Sequence, residues 1–253
     1  MSRSTLPVIV FAGPSVDPAD IPEDFRAHLS GPASQGDIVA AVEQHGPCVI
    51  ALIDGLFQGV PAVRHKEILW AMSRGAIVFG AASMGALRAA ELWSCGMQGR
   101  GLIYRWLRRF PLLPDDAVAV LHAPPELGAG SLTEALVDLR QGIKRARRQG
   151  LLSQEAAAAL LQRAQQLHYT DRTFANLTAD LPPQDRPAVL ASVRRPGWSQ
   201  KKKDAFNLLR ELRARQLHDN WPAPPASAGF ICTDAFLHDL AESGFPVHTL
   251  DVH

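Results

Sequence analysis

The sequence predicts an α/β fold, with a small, mostly parallel sheet core followed by a helical C-terminal part. Two patterns carry that prediction. Short, unbroken apolar runs at 6–11 (LPVIVF), 48–53 (CVIALI) and 76–79 (AIVF) alternate with segments of helical periodicity. A strand buried on both faces reads as such a run, because helices cover both sides of a parallel sheet. Beyond residue 130 helical periodicity dominates. The expected division is therefore an α/β core over 1–125, a helical part over 126–217, and a linker with a C-terminal tail over 218–253.

Each element has its own local reason. The first strand, 6–11, ends at the turn Ala12-Gly13-Pro14-Ser15, and the Pro-, Asp- and Ser-rich stretch to residue 35 reads as irregular. Asp37 suits the first turn of a helix over IVAAVEQHG, where a carboxylate meets the positive end of the dipole. The second strand, 48–53, ends at Asp54-Gly55. A helix spans 62–74 until Gly75 stops it, and the third strand leads through Gly80-Ala81-Ala82-Ser83-Met84-Gly85 into a helix carrying Ala86, Leu87, Ala89, Ala90 and Leu92. Gly96 marks that helix's end. Residues 102–110 (LIYRWLRRF) read as an amphipathic helix with arginines on its wet face, and AVAVLHA at 117–123 as a further strand ending near His122, before Pro124-Pro125 breaks the chain. Leu132, Leu136, Leu139 and Ile143 set a helix over 131–149, with Ser131-x-x-Glu134 as a capping box. Helices follow over 153–168, 172–177, 187–193 and 199–217. In the last, Lys201-Lys202-Lys203 reads as a solvated first turn, although cations there oppose the dipole.

Composition narrows the function. Hydrophobic residues at 47% are enough for a real core, and a net charge of +1 gives no bulk attraction to nucleic acid. No apolar stretch approaches the ~20 residues of a membrane span, and the N-terminal run is too short for a secretory signal. Cys48, Cys95 and Cys232 are scattered and have no metal-ligand spacing. The expectation is a cytoplasmic protein.

Ser83 stands at a strand–turn–helix junction, where a serine is either an N-cap or an exposed nucleophile. The glycine pattern of a G-x-S-x-G elbow is only half present: Gly85 follows, but Ala81 precedes. Lys66 lies one turn into the preceding helix beside Ala62, Val63, Leu69 and Trp70. Desolvation there would favour the neutral amine that a Ser–Lys pair needs. The alternative is an ammonium that reaches water over an apolar stem. Asp54, at the same sheet edge, either orients Lys66 or a substrate, or closes its own turn. His65 and Glu67 flank Lys66 and would meet a partner or water. Arg88 either serves the site or pairs with Glu91 three residues on.

These residues resemble the core of TfuA-like proteins. The likeness lies in IDG at 53–55, VPAVRHKEIL at 60–69, VFGAASMGALRAAEL at 78–92, Gly96-Met97, Ile103-Tyr104 and DDAVAVLHAP at 115–124. Ala82 stands where the family usually has a first serine, Ala117 where it often has an acid, and Leu56 where it often has an aromatic. The resemblance implies a partner of YcaO enzymes in peptide backbone thioamidation. It implies a hydrolase-like Ser–Lys pair, Ser83 and Lys66, acting on the thiocarboxylated C-terminus of a ThiS-like sulfur carrier. Asp54, His65, Glu67, Met84, Gly85 and Arg88 are the expected binding residues. The expected partners are a YcaO enzyme, the carrier and a precursor peptide, with no nucleic acid and no membrane. No cofactor is expected: the chain has no G-x-x-x-x-G-K-[ST] loop, and ATP would be used by YcaO. Two other classes stay open, a non-catalytic adaptor for peptide binding by YcaO and a general serine hydrolase.

Overall fold

The computed structural model describes residues 6–56, 59–111, 114–123, 130–195, 197–225, 230–247 and 250. The sheet has the order β2-β1-β3-β4-β5, all parallel, with β1 Val8–Phe11, β2 His28–Ser30, β3 Val49–Leu52, β4 Ile77–Gly80 and β5 Gln98–Gly99. The α/β class and the three central strands are as the apolar runs predict. The two edge strands were not legible. β2 is three exposed residues and β5 only two, so backbone pairing rather than burial defines them.

The two faces of the sheet separate by period two. Ile9, Phe11, Ile50, Leu52 and Val78 pack with α1 (Asp37–His45), α2 (His65–Ser73) and α10 (Asp234–Glu242). Val8, Val10, Val49, Ala51, Ile77 and Phe79 pack under α9 (Gln200–His218) through Ala205, Leu208, Leu209 and Leu212. The long C-terminal helix thus closes one face of the N-terminal sheet. A third cluster joins α3 (Met84–Leu92) and α4 (Gly101–Arg109) to α5 (Leu136–Arg148), α6 (Gln154–Gln166) and α8 (Arg186–Val193). The short α7 spans Phe174–Leu177.

Two local expectations do not hold. The run at 117–123 is no strand: a 3-10 turn at Asp115–Ala117 leads into irregular backbone, and His122 makes a single antiparallel bridge to Ser131. Its apolar side chains are spent on the third cluster instead, where Ala117, Val118 and Val120 are buried. The 131–149 helix begins only at Leu136, because Ser131 is engaged in that bridge and its hydroxyl donates to the Thr133 carbonyl. Ser153 and Ser199 do cap their helices, accepting from Ala156 N and Lys202 N at 3.1 Å each. The tail forms α10, with Phe236 and Leu240 buried against the sheet layer. The Pro124-Pro125 break, the 125/126 boundary and linker residues 226–229 lie outside the described residues.

Candidate functional site

The turn after β4 is tightly built. A Cβ on Gly80 would lie 2.1 Å from the Gly85 carbonyl oxygen, and one on Gly85 would lie 1.7 Å from the Leu52 oxygen. Only glycine lets α3 sit this close to the sheet. The Ser83 and Gly85 amides both donate to the Ile53 carbonyl, at 3.3 and 3.2 Å. Ala82 takes φ +66°, a left-handed position costing about 1–3 kcal/mol for a non-glycine residue. That strain turns Ser83 inward, 3% exposed, at φ −113° and ψ −121°.

Ser83 occupies the N-cap position of α3 but makes no capping bond with its side chain. Its Oγ instead donates to the Val118 carbonyl, at 3.4 Å. The same carbonyl accepts from Lys201 Nζ at 3.1 Å, and Lys201 is 4% exposed. The serine hydroxyl and a buried amine therefore converge on one oxygen at the carboxyl edge of the sheet, where open α/β sheets place their ligands.

Buried groups hold Lys201 in place. Asp138 accepts from Ser199 Oγ at 2.8 Å, Gln200 N at 2.6 Å and Lys201 N at 2.9 Å, clasping the start of α9. Burial pushes the Asp138 carboxyl above its ordinary value, opposed by the Lys201 charge and these hydrogen bonds. Glu134 shares a cavity of about 100 Å³ with Asp138, Lys201 and Ser15, and burial together with the Asp138 charge raises it to about 7. The loop bearing Val118 is tied down by Arg172, which is 1% exposed. Its guanidinium donates to the Asp116 carbonyl and carboxylate at 3.0 and 2.9 Å, and to the Ala164 and Leu167 carbonyls at 3.3 and 3.0 Å.

Asp54 orders the switch-point loop between β1 and β3. Its Oδ2 accepts from Gly13 N at 2.8 Å and Ser15 N at 3.0 Å, and its Oδ1 from Ser15 Oγ at 2.7 Å. It thus shapes one wall of the cavity rather than orienting Lys66. Met84 is buried in the third cluster, and Gly85 serves the close approach described above.

Lys66 is placed elsewhere. Its Nζ donates to the Ile231 carbonyl at 3.1 Å and lies 5.3 Å from the Phe230 ring centroid, so these contacts draw it to the tail and not to Ser83. His65 Nε2 lies 2.7 Å from Glu91 Oε2. The same oxygen accepts from Arg88 Nη1 at 2.7 Å, while Arg88 Nε bonds the Val63 carbonyl at 2.9 Å. Burial raises the Glu91 carboxyl, but these bonds from His65 and Arg88 outweigh it and hold it below its ordinary value. Glu67 is buried and its two oxygens accept from Arg64 N at 2.7 Å and Gly36 N at 3.0 Å; burial lifts it to about 8. His65, Glu67, Arg88 and Lys66 thus bind α2 to α3, to the loop before α1 and to the tail.

Sequence reasoning missed Lys201, Asp138, Glu134 and Arg172. One signal was present for Lys201: three lysines in the first turn of a helix oppose its dipole, which calls for a counter-charge from elsewhere in the fold. Among the described residues no group of three His, Cys, Asp or Glu side chains is set to hold a metal, and no helix is long and apolar enough to cross a membrane.

Residues 54–173 match the family model described as TfuA-like protein, in agreement with the resemblance read from the sequence. The matched segment contains Asp54, Lys66, Ser83, Val118, Glu134, Asp138 and Arg172; Lys201 lies beyond it. No curated protein matches this chain.

Proposed function

From the premise that the chain is TfuA-like, a family associated with YcaO-type thioamidation, we propose that it hydrolyses the thiocarboxylated C-terminus of a ThiS-like carrier protein, with Ser83 as nucleophile and Lys201 as base. The observation that supports this reading is the meeting of Ser83 Oγ and Lys201 Nζ on the Val118 carbonyl. The local sequence pattern and the resemblance both pointed to Lys66 as the base. Of the two lysines, Lys201 is the one whose amine shares an acceptor with the serine.

The first step requires that the Lys201 ammonium first give up a proton; the free amine then takes the Ser83 proton while Oγ attacks the thiocarboxyl carbon. Backbone N–H groups at the head of α3, the positive end of its dipole, would hold the developing oxyanion. The intermediate collapses with cleavage of the C–S bond. The proton on Lys201 goes to sulfur, so that hydrosulfide leaves and an ester on Ser83 remains. Water, deprotonated by Lys201, then attacks the ester; Lys201 returns that proton to the departing Ser83 Oγ, and the carrier leaves as its carboxylate after losing its acid proton to solvent. Sulfide passes to the YcaO partner, which activates the peptide amide with ATP.

Sulfide release from a thiocarboxylated ThiS-like carrier tests the proposal. Wild type should release sulfide, and folded Ser83→Ala and Lys201→Met should not, whereas Lys66→Met should remain active. No release by wild type, or equal release by Ser83→Ala, would leave the non-catalytic adaptor as the better account.

A further inference from the structure

On the reading of Ser83 as nucleophile and Lys201 as base, on which this rests, we propose that Glu134 is a positioning residue for Lys201: its charge sets how much of that amine is free to act, and restrains sulfide release once the carboxyl ionises. Two carboxyls stand by this lysine and are held differently. Asp138 accepts from Ser199 Oγ at 2.8 Å on one oxygen, and from Gln200 N and Lys201 N at 2.6 and 2.9 Å on the other. Donors of that kind favour its charged form and fix it as an anchor for the first turn of α9. Glu134 is half-buried and tied through its backbone, its amide donating to the Arg172 carbonyl at 2.8 Å.

Glu134, Asp138 and Lys201 line one cavity of about 100 Å³. In such a cluster the charge of each group depends on the others. Around Glu134 the charged and titratable groups are Asp138 on α5, Lys201 and Lys202 on α9, and Arg194 at the end of α8. Burial and the Asp138 charge raise the Glu134 carboxyl, the charges of Arg194 and Lys201 lower it, and it stands at about 7. Glu134 therefore changes charge near neutral pH, in the same cavity as the amine that must lose a proton before Ser83 is activated.

Protonated Glu134 leaves Lys201 with one anionic neighbour, Asp138. Ionised Glu134 adds a second, which favours the ammonium over the free amine. Sulfide release should thus climb with pH, pause as Glu134 ionises, and resume lower than it would without that charge. The coupling is reciprocal: the factor by which Glu134 restrains Lys201 is the factor by which Lys201 eases the ionisation of Glu134.

The test is sulfide release from a thiocarboxylated ThiS-like carrier, measured as kcat/KM against pH, with folding checked by circular dichroism. Glu134→Gln should match wild type at about pH 5.5 and exceed it on the order of tenfold above about pH 8. Glu134→Asp, which keeps the charge, should bring back most of the restraint. A role in packing alone would give a ratio independent of pH. Without any turnover, ¹³C NMR titration of Glu134, labelled at Cδ and assigned by its loss in Glu134→Gln, reads the same coupling from the other side. Its midpoint should lie near 7 in wild type. It should rise by about one pH unit in Lys201→Met and stay in place in Lys66→Met. Lys201→Gln serves if Lys201→Met does not fold. A Gln-to-wild-type ratio independent of pH, or a midpoint unmoved by loss of Lys201, would overturn the role of Glu134 and leave Ser83 and Lys201 in theirs. Release that persists in Ser83→Ala, or none by wild type, would strike those two roles, and this one with them.

Discussion

Replacing Lys201 by methionine separates two roles that the structure superimposes on one side chain. The stem is kept and the charge removed from a site that is almost fully buried. Two interactions go: the hydrogen bond to the Val118 carbonyl and the attraction to Asp138. Removing one partner of a buried charge pair costs about 3–5 kcal/mol when the other is left bare. Asp138 is not left bare, because Ser199 Oγ and the amides of Gln200 and Lys201 still donate to it. A loss of about 2–3 kcal/mol is therefore expected, or about 4–12 °C in melting temperature for a chain of this size. Loss of the base should lower sulfide release by about 10²–10⁴-fold. Lys201→Arg splits the two effects. It keeps the cation beside Asp138, so most of the stability should return, but a guanidinium does not give up its proton and activity should stay lost. The assay is initial-rate sulfide release below the melting temperature of every variant. Turnover of folded Lys201→Met within about threefold of wild type would refute the assignment. Loss in Lys66→Met with activity kept in Lys201→Met would move the base to Lys66.

Other substitutions probe the framework. Gly85→Ala places a methyl 1.7 Å from the Leu52 oxygen, so α3 must shift off the sheet; a loss above about 4 kcal/mol, or no folded protein, is expected in urea titrations. Arg172→Met removes the donors to Asp116, Ala164 and Leu167 together, and should cost about 3–5 kcal/mol while loosening the Val118 loop, read as a drop in both melting temperature and sulfide release. Glu67 binds its proton more tightly folded, at about 8, than at its ordinary 4.5. Its contribution is therefore fully present below about 4.5 and is lost as pH rises to about 8. The stability difference between wild type and Glu67→Gln should shrink across that window. Glu134 shifts in the same sense, so only the difference between the two proteins isolates Glu67.

Much of the fold was legible because burial writes itself into local sequence. β1, β3 and β4 are covered on both faces, and each left an unbroken apolar run. Ser83 was legible for a similar reason, since a strand, a glycine-bounded turn and a helix start lie within one short stretch. β2 and β5 were not, because pairing at a sheet edge asks little of the side chains. The run at 117–123 misled for the opposite reason: its residues are apolar because α3, α4 and α5 surround them, and its backbone pairs with no strand of the sheet.

The sequence by itself determined the α/β class, the central strands, the turn that carries Ser83 and the family resemblance in that turn. Which amine shares an acceptor with the serine was decided by tertiary structure alone. Lys201 looks like one of three solvated lysines until α9 packs beneath the sheet and brings its first turn to Asp138 and to the Val118 carbonyl. Lys66, nearer in sequence and on a partly apolar face, is drawn instead to the tail by the Ile231 carbonyl and the Phe230 ring. Local periodicity reports which face of an element is buried. It carries no information about which distant element arrives to bury it, and it is that arrival which excludes water from Lys201 and brings its amine to the carbonyl that Ser83 also bonds.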